Sequence, residues 1–131
     1  MTRRLSISFF ATLLLTVVVW ADWPQLQGDD GRSGNAPGEV LKAPLGLLAA
    51  VALTDGVQAA PVVADGVVYV IDGSGVVHGI DIASAQVRWR FKTEGGAGNC
   101  NNVAAPAVIG KYLHVGTTAG FYYVLERRTG K

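Results

Sequence analysis

The stretch AAPVVADGVVYV, Ala59 to Val70, is written again as AAPAVIGKYLHV, Ala104 to Val115, 45 residues further on. Laying one copy over the other needs no gap through to the end of the chain. Ala59, Ala60, Pro61, Val63, Val70 and Gly75 meet identical residues at Ala104, Ala105, Pro106, Val108, Val115 and Gly120. Elsewhere the chemistry agrees rather than the letters. Val67 meets Tyr112, Val68 meets Leu113, Val76 meets Phe121, Ile80 meets Leu125 and Asp81 meets Glu126. A fixed period of 20–50 residues signals a repeat architecture, in which each unit must stack on its neighbour to bury an apolar face.

Each unit parses into short strands and tight turns. PVVA is a first strand, with Pro61 at its start, where a missing N–H does least harm. Asp65-Gly66 is a two-residue hairpin signal, because a type I′ turn wants positive φ at both positions. VVYVI forms a second strand, apolar without alternation and therefore covered on both faces. After the DGSG turn, Asp72 to Gly75, VVHGIDI is a third strand. ASAQ turns the chain again, and VRWRFK is a fourth. Its alternation sends Val87, Trp89 and Phe91 to one side and Arg88, Arg90 and Lys92 to the other. Four antiparallel strands in about 45 residues make one β-propeller blade. A two-sheet sandwich of short hairpins accounts for the strands but not for the period. The predicted fold is therefore all-β, a partial propeller of four-stranded antiparallel blades that is incomplete in this chain.

Segments outside the repeat set the remaining boundaries. Arg3 and Arg4 precede an apolar run of 14 residues, Ile7 to Trp20, too short for a membrane span of about 20. Val19 and Ala21 stand where a signal peptidase wants small residues, so residues 1–21 read as a secretory signal. The alternative is an uncleaved anchor. Residues 22–58 form a lead-in, in which Lys42 to Gly56 supplies the outer strand of a neighbouring blade. Residues 59–103 are the first complete repeat with its following loop, and 104–131 a partial second repeat. A closed propeller needs at least four blades, about 160–180 residues, so the chain is expected to be the N-terminal piece of a longer protein.

Charge and cysteine usage exclude some classes. Without residues 1–21, nine Lys and Arg face ten Asp and Glu. No basic face is implied, so nucleic acid is not an expected partner, nor is stable membrane insertion after cleavage. Cys100 is the only cysteine of the 131 residues, so an exported chain has no internal disulfide within this stretch. It is a small residue, a free thiol, or the partner of a cysteine elsewhere.

In Pro61, Gly66, Tyr69, Gly75, Asp81 and Trp89, and again in Pro106, Gly120, Leu125, Thr129, Gly130 and Lys131, the chain resembles the PQQ-like (quinoprotein-type) β-propeller repeat family. The start DWPQLQGDDGRSG is similar to the Trp-Pro-Gln-Phe-Arg-Gly lead-in of exported members. The resemblance implies that Tyr69, Gly75, Asp81, Trp89, Gly120, Thr129 and Gly130 serve blade packing, with Trp89 docked on the next unit. There are departures. ASAQ replaces Thr-Gly-Lys in the first unit, leaving Ala85 at a glycine position. Ala49 fills the slot of the preceding Trp, and Arg127-Arg128 is unusual ahead of Thr129-Gly130.

Signs of chemistry are few. Gly73-Ser74-Gly75 begins G-x-G-x-x-G, but His78 takes the last place. DDGRSG, Asp29 to Gly34, lacks the spacing of a calcium loop and reads as a polar turn. No G-x-S-x-G surrounds Ser33, Ser74 or Ser84. His78 and His114 lie on different units, with no His, Cys or carboxylate at ligand spacing, and are expected to be strand histidines. Arg88, Arg90 and Lys92 form a basic row that suits a solvated edge. The loop TEGGAGNCNN, with Glu94, Asn99, Cys100, Asn101 and Asn102, is the longest between units, and reads as a flexible Gly-rich connection or a rim binding loop. Catalytic, cofactor and metal residues are therefore not assigned. Pyrroloquinoline quinone with calcium enters by resemblance only.

The expected function is a non-catalytic protein-binding or scaffolding module, exported to the periplasm or beyond, with another polypeptide held at the propeller rim. Members similar to the outer-membrane assembly-factor lipoprotein do this, although a lipoprotein would carry Cys where Asp22 stands. The alternative is the N-terminal part of a quinone-dependent alcohol or sugar dehydrogenase, in which the cofactor performs the redox chemistry.

Overall fold

The computed structural model describes residues 22–36, 38, 40, 42–94 and 104–131, and among these residues it has seven strands and no helix. The signal-peptide reading of residues 1–21 lies outside these, as do Asn99, Cys100, Asn101 and Asn102 of the loop between the units. The first sheet holds β1 (Val62–Ala64), β2 (Val67–Ile71), β3 (Val76–Asp81) and β4 (Val87–Lys92), in that order and antiparallel throughout. The second holds β5 (Ala107–Ile109), β6 (Tyr112–Gly116) and β7 (Tyr122–Glu126). The two tandem phrases thus fall in separate sheets, as adjacent blades require, and the described sheets do not close into a ring.

The 45-residue period extends to individual hydrogen bonds. Gly75 N–H donates to Asp72 O, and Gly120 N–H to Thr117 O. Asp81 N–H reaches Gln86 O, and Glu126 N–H reaches Lys131 O. Ile82 N–H reaches Gly66 O, and Arg127 N–H reaches Lys111 O. Each pair is offset by 45, so the two units share turn chemistry where they share few letters. The Asp65-Gly66 turn has φ of 47° and 71°, the two positive values that a type I′ hairpin needs.

Between the sheets lies the core. Val62, Ala64, Val67, Tyr69, Ile71 and Val77 of the first sheet pack against Leu113, Val115 and Leu125 of the second. Trp89, Phe91, Val108 and Tyr123 border this cluster. Each fully buried Val, Leu or Ile contributes about 1.5–3 kcal/mol by leaving water, and β2 is buried on both faces as its unbroken apolar run implies. In β4 exposure alternates, Val87, Trp89 and Phe91 being less exposed than Arg88, Arg90 and Lys92, but the expected two-sided pattern is broken by a bulge. Phe91 and Trp89 pair with Val77 and Gly79, Val87 pairs with the next residue, Ile80, and Arg88 is the extra residue. Val87 therefore falls on the face opposite Trp89 and Phe91.

The lead-in binds both sheets. Trp23 exchanges two backbone hydrogen bonds with Val63, while Val108 N–H donates to Pro24 O. Asp22 accepts from Asp65 N–H. Further on, residues 42–58 contain no named strand. They still touch the face of the first sheet that points away from the second. Thr54 N–H reaches Asp72 and Gly73 N–H reaches Gly56 O. Ala50, Val51 and Ala52 share a cavity with Ala85, Val87 and Arg90.

Candidate functional site at the junction of the sheets

Trp89 joins one sheet to the other. Its ring lies across Gly79, its partner in the antiparallel register, and under Gly130 of the second unit. A Cβ at either glycine would stand 2.5 Å from an indole carbon, so neither position has room for a side chain. The indole Nε1–H donates to Arg127 O at 3.0 Å. Tyr69 sits 5.9 Å away, ring centre to ring centre, in a tilted contact. The strand β4 supplies the ring, and the turn after β7 supplies the glycine and the carbonyl that receive it.

Next to this dock opens a cavity of about 300 Å3, lined by Asp65, Val67, Tyr69, Arg88, Arg127 and Arg128. Arg127 pairs with Asp65 across the sheets, and Arg88 pairs with Asp81. The Tyr69 ring is 1% exposed, and burial raises its phenol pKa above the ordinary value. The Arg127 Nε–H is buried without a partner among the described residues.

Of the seven packing residues read from the sequence, the structure brings Tyr69, Trp89 and Gly130 into one cluster. Asp81 stands nearby at the turn between β3 and β4, where Ser84 N–H and Oγ–H donate to its carboxylate and Arg88 pairs with it. The Ser84 bonds first, and Arg88 second, lower its pKa to about 2. Thr129 donates to Glu126 at the corresponding turn of the second unit. Gly75 and Gly120 lie elsewhere, in the turns β2–β3 and β6–β7, with φ of 80° and 86°.

At that other end of the first sheet is a polar cluster that sequence reasoning did not find. His78 does meet a carboxylate, contrary to expectation. The hairpin folds residue 78 back over residue 72, and Nε2 lies 2.8 Å from Asp72 Oδ2. Both side chains are essentially sealed from solvent. Asp72 also accepts from Ser74 N–H, Ser74 Oγ–H, Val76 N–H and Thr54 N–H. Burial pushes the Asp72 pKa up, but these donors outweigh it and hold the carboxyl below its usual range. Ser74 bonds the carboxylate and not the imidazole, so the trio lacks the nucleophile–base contact of a hydrolase. His114, in turn, meets the Tyr122 hydroxyl through Nδ1 at 2.9 Å.

Arg127 and the Asp72–His78 pair are thus the groups missed from sequence. For Arg127 the available signal was the double arginine that departs from the repeat pattern. For Asp72 and His78 it was their six-residue spacing across a hairpin turn.

Set against known proteins, these features belong to a propeller class built of PQQ-type repeats. The family model described as "Outer membrane protein assembly factor BamB" matches residues 47–131, and the chain belongs to that PQQ-repeat family. Two solved structures are similar. The quinohemoprotein alcohol dehydrogenase of Comamonas testosteroni superposes with a TM-score of 0.63 and 24% identity, over 85% of this chain and 18% of that one. The quinohemoprotein alcohol dehydrogenase ADHIIG of Pseudomonas putida HK5 gives 0.49 and 24%, over 54% and 11%. This chain therefore spans less than a fifth of the length of either enzyme. A comparison with curated proteins gave no match.

Proposed function

We propose that this chain is an exported propeller sector that binds another polypeptide at its rim. Its support is the family match, which covers 85 residues spanning both sheets and carries the description of an outer-membrane assembly factor. The fold suits that role physically. Turns project at both ends of each sheet, and a rim of turns on a rigid scaffold is where partners are held. In this reading residues 1–21 direct export and are removed, and the periplasm or the cell exterior is the working compartment. Among the described residues no helix is long and apolar enough to cross a membrane.

A second reading, the front of a quinone-dependent alcohol dehydrogenase, draws on the structural likeness over 85% of the chain. There, pyrroloquinoline quinone with calcium would supply the redox chemistry. The described residues do not fit the metal. No three His, Cys, Asp or Glu side chains gather as a ligand set, and both oxygens of buried Asp72 are already occupied by N–H and O–H donors. No catalytic step is assigned to these residues.

One experiment separates the readings. Full-length protein carrying a photoreactive residue at Ala83 or at Thr118, which stand at opposite rims, is irradiated in the cell envelope. One rim should yield a discrete polypeptide adduct, and the purified protein with quinone, calcium and an alcohol should leave a redox dye oxidised. Alcohol-dependent dye reduction with no adduct at either rim would remove the binding-module reading. An N-terminus other than Asp22 on the mature protein would remove the proposed cleavage.

A further inference from the structure

We propose that the cavity beside Trp89 is a binding site for an organic carboxylate. It lies where two blades meet, and three of its six lining residues are arginines. The charges can be assigned one by one. Arg88 is matched by Asp81 and Arg127 by Asp65, whereas Arg128 forms no ion pair with a described residue. One positive charge is left over, so a monoanion balances the site. A phosphate dianion would overfill it and would face Asp65, which also lines the cavity.

Hydrogen bonding points the same way. Arg127 lines the cavity and carries a buried Nε–H that no described residue accepts. A desolvated donor without an acceptor is unfavourable, and a carboxylate oxygen would relieve it through a charge-assisted bond once the Arg127 side chain turns this sealed Nε–H toward the cavity. The remaining wall is Val67 and Tyr69, both almost fully buried, so the charged end of the ligand makes the principal contacts. A volume of about 300 Å3 stands at the small end of ligand cavities, which suits something the size of an amino-acid side chain. The same carboxylate could come from a free small acid or from a glutamate presented by a polypeptide. The inference stands on this cavity alone and does not rest on the role proposed above.

The test uses butyrate as the free acid, butyramide as its uncharged isostere, inorganic phosphate, and a capped pentapeptide with a central Glu or Gln, all at constant ionic strength. Two-dimensional NMR follows the Arg127 and Arg128 amides and the Trp89 indole N–H. Saturable shifts are expected with butyrate and absent with butyramide. Arg128→Gln, an exposed change, should weaken butyrate about tenfold or more, in line with loss of one charged hydrogen bond. Lys92→Gln, a surface cation on the opposite end of β4, should leave binding unchanged. If the Glu peptide binds at least tenfold tighter than butyrate, the source is a polypeptide; equal affinity points to a free acid, and either result supports the site. Overturning results are equal shifts with butyramide, tighter binding of phosphate, no saturation, or equal losses in both variants.

Discussion

Replacing Gly130 by Ala tests the ring contact that joins the two sheets. The new Cβ would stand 2.5 Å from Trp89 Cε3 and 2.7 Å from Cδ2, far inside van der Waals contact. Residue 130 also has φ of 71°, a left-handed conformation that costs an L-residue about 1–2 kcal/mol. Reduced freedom of the unfolded chain returns about 0.4–1 kcal/mol of that. Overpacking against the ring adds about 1–3 kcal/mol. The expected loss is about 2–4 kcal/mol, read by urea denaturation followed by far-UV circular dichroism. Gly79→Ala serves as the partner variant, because its Cβ also falls 2.5 Å from the indole but its backbone carries no positive φ. It should lose about 1–3 kcal/mol from overpacking alone. In a Trp89→Leu background the steric part should vanish from both. Gly79→Ala then becomes nearly neutral, and Gly130→Ala retains only its backbone part. Coupling energies under about 0.5 kcal/mol in both cycles, the size expected of independent sites, would refute the claim that the two glycines clamp the ring.

Three other outcomes follow from the same geometry. Ala85 sits at φ of 56°, so Ala85→Gly should stabilise the protein by about 0.5–1 kcal/mol, strain relief less added chain freedom; an unchanged urea midpoint would contradict it. Asp72→Ala strands His78 and the N–H groups of Ser74, Val76 and Thr54, which should cost about 3 kcal/mol or more, and a loss under about 1 kcal/mol in thermal unfolding would count against the network. The folded-state pKa of Asp81, about 2, is below the ordinary 3.8. Its contribution to stability is therefore complete above about pH 4 and is lost as pH falls toward 2. Asp81→Asn should flatten the stability profile across that window relative to wild type, and an identical slope would show that the turn bonds do not matter.

Local rules carried most of the fold. Asp65-Gly66 and the apolar run of β2 each act within a few residues, and each is found where the sequence places it. The alternation of β4 holds from Trp89 to Lys92 but is shifted at Arg88 by a bulge that period-2 reasoning does not see. The period added the long-range information, because units that repeat must also stack. What stayed hidden depends on distances that no spacing states. The Asp65–Arg127 pair spans 62 residues. Gly79 looks like a plain strand residue until its cross-strand neighbour proves to be Trp89. The cavity likewise needs two sheets in place before its arginines meet.

The two departures at Ala49 and Ala85 have one physical explanation. The turn that ends the third strand of a unit receives a ring from the strand before that unit. In the second unit the ring is Trp89, and it leaves no space for a Cβ at residue 130. Residue 85 occupies the equivalent turn, 45 positions earlier, with a similar positive φ. Facing it is the Ala50–Ala52 segment, which shares a cavity with Ala85 and brings no indole. A methyl group therefore fits at residue 85, and only the backbone strain opposes it. The demand for glycine at this turn has two parts, conformation and space, and the first unit has lost the second part because its neighbour carries small residues where a tryptophan would stand. The absent ring and the tolerated alanine are a single change seen from its two sides.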